Sequence, residues 1–184
     1  MKANTYVDYR LRVPFKADMG EVARAASSLM RGLHAGLSEL SEKQFALAFP
    51  HFESASPQKK LTVFRVFAES TDDQMELHQF MSKHPKFGAT FSADFPMMVP
   101  SEFAGPYKAF SRLRIRTRER SVTRLKQMLA VNEQGNLWID MASKENGHRF
   151  RFYVQATEGA PGETGELNSY GLSNAEQLVY LPVI

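Results

Sequence analysis

Arg112, Arg114, Arg116, Arg118 and Arg120 recur at every second residue, with Leu113, Ile115 and Thr117 between them. As a strand, this spacing puts the guanidinium groups on one face and the apolar side chains on the other. Beyond Arg118 the period becomes helical. Val122, Leu125 and Leu129 share one face, while Arg116, Arg120, Arg124 and Gln127 fall three and four apart on the opposite one. From Tyr107 to Lys126 there are eight Lys or Arg and one acid, Glu119, a net +7 in a chain whose total is +3, which leaves the remainder at −4. A merely solvated face usually mixes Lys with Glu. Here Arg dominates, and its planar donor fork matches phosphate oxygens. The chemistry on offer is the binding of a nucleic acid or another polyphosphate.

Other residue types could act on what that surface holds. His34 follows Leu33 on the edge of an apolar helical stripe, where a histidine either packs or serves as a proton acceptor. Ser143 stands at the start of a turn, where a lone serine commonly bonds nearby backbone. Phe150, Phe152 and Tyr153 alternate with Arg149 and Arg151, an interleaving that suits base stacking or, for inward rings, core packing. Tyr170 precedes Gly171 in the polar turn Asn168–Asn174, a place where glycine serves a positive φ. The chain has no cysteine, which excludes disulfides, thiolate zinc sites and cysteine nucleophiles. Its five histidines form no HxH or HxxxH pair, so neither a metal nor another cofactor is expected.

The elements that must position these residues follow from periodicity. Thr5–Val13 alternates as a strand. Asp18 and Glu21 form a capping-box pattern ahead of the stripe Val22, Ala26, Leu29, Leu33, Leu37, Leu40. Residues 44–49 and 61–68 are expected strands separated by a loop at 51–60. Ser70 opens a second helix that stops near His84-Pro85, and residues 86–91, with 97–99 as a further candidate, supply a last strand. Strand, helix, strand, strand, helix, strand is the order of a ferredoxin-like unit. The Gly105-Pro106 pair marks a boundary, after which come the basic strand and helix. Two strands, 136–143 and 147–156, then join around Asn146-Gly147, which favours a tight turn. A mobile loop at 158–166 and a short strand at 178–183 complete the chain. The expected fold class is α/β (α+β): a ferredoxin-like domain over residues 1–100 and a smaller α/β domain over 101–184. With 43% hydrophobic residues over 184 positions the chain can bury a core, and no apolar run approaches membrane-spanning length. No membrane partner and a cytoplasmic location are expected.

These residues also carry a resemblance. The opening YVDYRLRV, LMRGLHAGL with His34, SRLRIRTRER, the segment SKENGHRFRFYV and the C-terminal SYGLSN are similar to the type I-F CRISPR repeat endoribonucleases, which cut the precursor transcript within each repeat and remain on the guide RNA. The resemblance implies that His34 is the general base and that Ser143 positions the nucleophilic 2′-hydroxyl. It further implies that Phe150 stacks under the terminal base pair and that Tyr170 shapes the site. RNA contacts are expected from Arg112, Arg114, Arg116, Arg118, Arg120, Arg124, Lys126 and Arg149. Arg114 stands where the family carries a Gln, and Met128, Val131 and Asn132 stand where it carries further arginines. His148 is a rival base. The implied partners are a CRISPR repeat stem-loop and other protein subunits of a guide-RNA effector complex. Two other classes share parts of this pattern: a non-catalytic hairpin-binding subunit, and a ferredoxin-like small-molecule phosphatase, which has no need of so long an arginine run.

Overall fold

The computed structural model describes residues 2–14, 16–115, 121–133, 136–142, 147–162 and 165–184, with side chains left out at 121, 124, 132 and 133. Strand β1 (Thr5–Leu11) is central to the first sheet. It pairs antiparallel with β3 (Val63–Ala68) on one side, and with β4 (Phe91–Ala93) and β5 (Met97–Met98) on the other. Strand β2 (Ala46–Ala48) adds outside β3, giving the order β2-β3-β1-β4. That is the ferredoxin-like order: the crossover from β1 to β2 leaves a gap that β3 fills, and the crossover from β3 to β4 spans β1. Helix α1 (Met19–Glu39) begins with the capping box: the Glu21 amide donates to Asp18 Oδ1 at 2.8 Å and the Asp18 amide donates to Glu21 Oε2 at 3.1 Å. Its stripe of Val22, Ala26, Leu29, Leu33 and Leu37 is buried. Ser70 caps α3 (Thr71–Ser82), which packs against α1 and the sheet.

The second sheet has the order β7-β8-β6-β9, from β6 (Tyr107–Leu113), β7 (Leu137–Ala142), β8 (Arg149–Gly159) and β9 (Leu181–Pro182). Its buried residues Phe110, Ile139, Phe152, Val154 and Leu172 join those of the first sheet in one continuous cluster, and α1 packs on β7 as well as on its own sheet. A buried ion pair within the first sheet also reaches the chain that follows β9. Arg65 donates to both Asp8 oxygens at 2.6 and 3.0 Å, and to the carbonyl of Ile184 at 2.7 Å. The chain is thus mixed α and β, with two antiparallel sheets.

Several elements differ from the sequence expectation. The last strand of the first sheet starts at Phe91, not Lys86: residues 84–90 fold into a turn in which Thr90 donates to the Lys86 carbonyl and Gly88 takes φ +79°. Within 51–60 a single helical turn, α2 (Pro57–Lys60), forms because Ser56 caps it and Pro57 occupies its first position. The basic strand ends at Leu113, so Arg112 lies in β6 while Arg114 lies past its end. Arg116, Arg118 and Arg120 are outside the described residues. Helix α4 (Ser121–Glu133) forms, yet its apolar face is not covered among the described residues: Val122, Leu125 and Leu129 are 64%, 57% and 52% exposed. In the β7–β8 hairpin the last described pair is Ala142 and Arg149; Asn146 of the expected turn, with the rest of 143–146, lies outside the described residues, and Gly147 takes φ +66°. Strand β8 continues through Glu158 and Gly159, which pair with β6 and are not part of a loop.

Candidate functional site

The site is built where three distant parts of the chain meet. Helix α1 brings His34; the turn after residue 167 brings Ser169, Tyr170 and Gly171; β6 and β8 bring Arg112, Phe150 and Phe152. The turn is fixed first by its own residues. Asn168 accepts the amides of Tyr170 at 2.9 Å and Leu172 at 3.4 Å on its side-chain oxygen, and its carbonyl accepts the Gly171 amide at 2.8 Å. It is then docked on the first sheet by the Leu47 amide, which donates to the Gly171 carbonyl at 2.7 Å. Gly171 itself has φ +72°, and a Cβ there would lie 2.9 Å from both Leu37 Cδ2 and the Phe45 carbonyl oxygen. Only glycine permits both the conformation and the close approach.

Docking the turn has a direct chemical consequence for His34. Its Nδ1 lies 2.8 Å from the Ser169 carbonyl oxygen. A carbonyl only accepts, so the proton of the neutral imidazole sits on Nδ1 and the lone pair on Nε2. The ring is held from a second direction by Tyr170, stacked at 4.0 Å between centroids and 13° between planes. Tyr170 in turn leans on buried Phe152 at 4.7 Å. The Arg112 guanidinium lies 4.7 Å from the Phe152 ring and 5.6 Å from the Phe150 ring. Burial, and then the charge of Arg114, lower the pKa of Arg112, which Tyr170 partly offsets. A half-buried cation among ring faces is poorly hydrated, and an incoming phosphate or base edge replaces little water there.

Beside this cluster a cleft of about 810 Å³ opens between β6, β8 and α4, lined among others by Arg112, Arg114, Met128, His148, Arg149 and Phe150. Of the sequence-predicted residues, the structure brings together His34, Tyr170, Arg112 and Phe150. It sets Arg114, Arg149 and His148 around the cleft. Lys126 is exposed on α4, and Arg124 lies in the same helix with its side chain outside the described atoms. Ser143, like Arg116, Arg118 and Arg120, lies outside the described residues; its chain neighbour Ala142 ends β7, the strand on which α1 packs. Arg151 is turned to Asp140 at 3.6 Å and to the Trp138 ring at 4.5 Å. Among the described residues no group of three His, Asp or Glu side chains could hold a metal ion, and no helix is long and apolar enough to cross a membrane. The Ser169 carbonyl has no signal in the sequence, because it acts through the backbone.

A ferredoxin-like sheet joined to a second sheet, whose cleft mixes guanidinium groups with aromatic rings, has the build of an RNA-binding protein. The family model described as CRISPR-associated protein (Cas_Csy4) matches residues 6–182, nearly the whole chain. The chain therefore belongs to this family of type I-F CRISPR endoribonucleases, which implies CRISPR RNA processing and the binding of repeat hairpins. No curated protein matches the chain. Among solved structures, a crystal structure assigned as a chlorite dismutase matches with 14% identity over 82% of this chain and 78% of that one, at a TM-score of 0.32, a likeness too low to carry any argument.

Proposed function

We propose that the protein cleaves CRISPR repeat hairpins by attack of the RNA's own 2′-hydroxyl, with Nε2 of His34 as general base, and remains bound to the stem-loop of the resulting guide RNA. The observation that carries this reading is the hydrogen bond from His34 Nδ1 to the Ser169 carbonyl. It leaves the lone pair on Nε2, on a ring stacked against Tyr170. In the reaction, Nε2 takes the proton of the 2′-hydroxyl, the O2′–P bond forms, and the P–O5′ bond breaks in line with it. The departing oxygen takes a proton from water. The products are a 2′,3′-cyclic phosphate and a 5′-hydroxyl, and no metal ion is needed to make the nucleophile, since the 2′-oxygen supplies it.

Ser143 would orient that hydroxyl, and Arg112 would offset charge developing on the phosphate oxygens. Phe150 would stack under the last base pair. An A-form stem has a deep, narrow major groove, so its hold on the protein would come chiefly from phosphate contacts by Arg114, Arg116, Arg118, Arg120, Arg124, Lys126 and Arg149. The protein would act within a guide-RNA effector complex in the cytoplasm. The test is a repeat RNA with a single 2′-deoxy substitution just upstream of the cut. Cleavage should be abolished and binding kept within a few-fold, and the unmodified RNA should still be cut in excess EDTA. Cleavage of the deoxy RNA, or loss of activity in EDTA, would mean that water attacks. Tight binding with no cleavage of unmodified RNA would make the protein a hairpin-binding subunit instead.

A further inference from the structure

A second groove, of about 860 Å³, runs along α1 on the N-terminal side of His34. Arg24, Ser28 and Arg31 line it from α1, Lys86 and Thr90 from the turn before β4, and Arg149 from β8. Arg24, Arg31, Lys86 and Arg149 are exposed, and none is in an ion pair among the described residues. The two acids that border the groove are engaged elsewhere: Glu21 accepts the Asp18 amide in the capping box, and Asp140 faces Arg151. Arg31 and Lys86 converge on His84, whose pKa is lowered by burial first and then by their charges. Four cations against two acids, one of which faces Arg151, leave the channel with a net positive lining. Such a channel takes a polyanion.

Its position decides which polyanion. Arg24, Ser28 and Arg31 form a stripe on α1 that arrives at His34 one turn later, and Met141 and Ala142 at its far wall directly precede Ser143. At 1.5 Å per residue, Arg24 and His34 are about 15 Å apart along the helix. The groove also shares Arg149 and Asp140 with the cleft between β6, β8 and α4, so the two meet at the β7–β8 hairpin. On the assignment of His34 as the base, the strand that carries the scissile phosphate must cross His34. With the stem held by Arg114 and Arg149 over Phe150, in the cleft, the remainder of that strand would leave on the other side.

We propose that this groove is a binding track for single-stranded RNA downstream of the cut, in which Arg24, Arg31 and Lys86 contact successive phosphates without reading their bases, beyond Arg149 at its junction with the cleft. The track rests on the reading of His34 given above. It would hold the scissile bond in line before reaction, and cleavage would release its occupant, since the downstream fragment is then tethered by the groove alone.

The test uses hairpins blocked by a 2′-deoxy at the cut, with no tail, with a downstream tail of about six nucleotides, or with an upstream tail of the same length. For the wild-type protein the downstream tail should tighten binding at low salt, and three or four phosphate contacts should steepen the salt dependence by about 2 to 3 units. In the Arg24→Ala/Lys86→Ala double variant that increment should fall by about 1.4 units, the share of two single-strand phosphate contacts, while the tail-less hairpin binds as before. Both side chains are exposed and outside the proposed catalytic machinery, so the fold should be kept. An increment undiminished in the double variant, or one that comes from the upstream tail, overturns the track and leaves the hairpin reading standing. Failure of the tail-less hairpin to bind at all removes the reading of the site, and the track with it.

Discussion

Gly171→Ala tests whether the C-terminal turn is what makes His34 a base. A left-handed φ of +72° costs an L-residue about 1–2 kcal/mol. The added Cβ would also lie 2.9 Å from Leu37 Cδ2, which can rotate away, and 2.9 Å from the Phe45 carbonyl oxygen, which cannot because it belongs to backbone leading into β2. Overpacking of this kind costs about 1–3 kcal/mol, so the variant should lose about 2–5 kcal/mol. The cheapest relief is for the turn to lift. That stretches the 2.7 Å bond from the Leu47 amide and withdraws the Ser169 carbonyl and Tyr170 from the imidazole. Cleavage should then fall by about tenfold or more, the rate equivalent of 1.4 kcal/mol of lost positioning, while hairpin binding changes little. Urea unfolding followed by Trp138 fluorescence gives the stability, and single-turnover cleavage under folded conditions gives the rate. Gly88→Ala is the control, because Gly88 has φ +79° but nothing within 4 Å of where a methyl would be added, so it bears the backbone cost alone. If Gly171→Ala is no less stable than Gly88→Ala and cleaves at the wild-type rate, the turn does not hold His34 and the reasoning fails.

Three other outcomes are expected. His34→Ala should lose cleavage by roughly 10²-fold or more and still bind the hairpin, whereas His148→Ala should cleave normally; a defect in the second variant instead of the first would reassign the base. Arg120→Ala and Arg124→Ala should each flatten the salt dependence of hairpin binding by about one unit, and unchanged slopes in both would move the phosphate surface elsewhere. Asp8→Ala should destabilise the protein by about 3–5 kcal/mol in urea unfolding, because it leaves Arg65, held between the sheet and the Ile184 carbonyl, as an uncompensated buried charge; a loss under about 1 kcal/mol would show that the bridge is incidental.

The elements legible in the sequence are those whose pattern and partners agree. The alternation in β1 and the stripe of α1 each match a face that the sheet or helix does bury, and the capping box at Asp18 forms both of its bonds. At Arg114 and Ile115, the described part of the alternation past Leu113, the chain leaves the strand for a physical reason. A strand persists only while a neighbour supplies hydrogen bonds, and β6 ends opposite Tyr153, where β8 continues alongside β7. Likewise the spacing of Val122, Leu125 and Leu129 specifies a helix but not what covers it, and nothing among the described residues does. At the site, His34, Arg112, Phe150 and Tyr170 stand out by residue type and resemblance. The groove cations do not, because Arg24, Arg31 and Lys86 are spread over two elements with no motif between them.

The contact that orients His34 is made across 135 residues of chain, from Ser169 to His34. Helix α1 and the first sheet could be fully formed and still leave the imidazole free to rotate and to exchange its tautomer. Only when residues 168–174 have closed their turn, Leu47 has taken the Gly171 carbonyl and Ser173 has donated its amide to the Phe110 carbonyl does the lone pair become fixed on Nε2. The same Ser173 side chain bonds the Val179 amide and carbonyl, which lead into β9 on the second sheet. Placement of Ser169 and Tyr170 against His34 and attachment of β9 to the second sheet therefore depend on one hydrogen-bonded segment, from Asn168 to Val179. On the proposed assignment of His34 as the base, a substitution that loosens β9 should lower cleavage through the orientation of the imidazole, although β9 touches neither His34 nor the cleft.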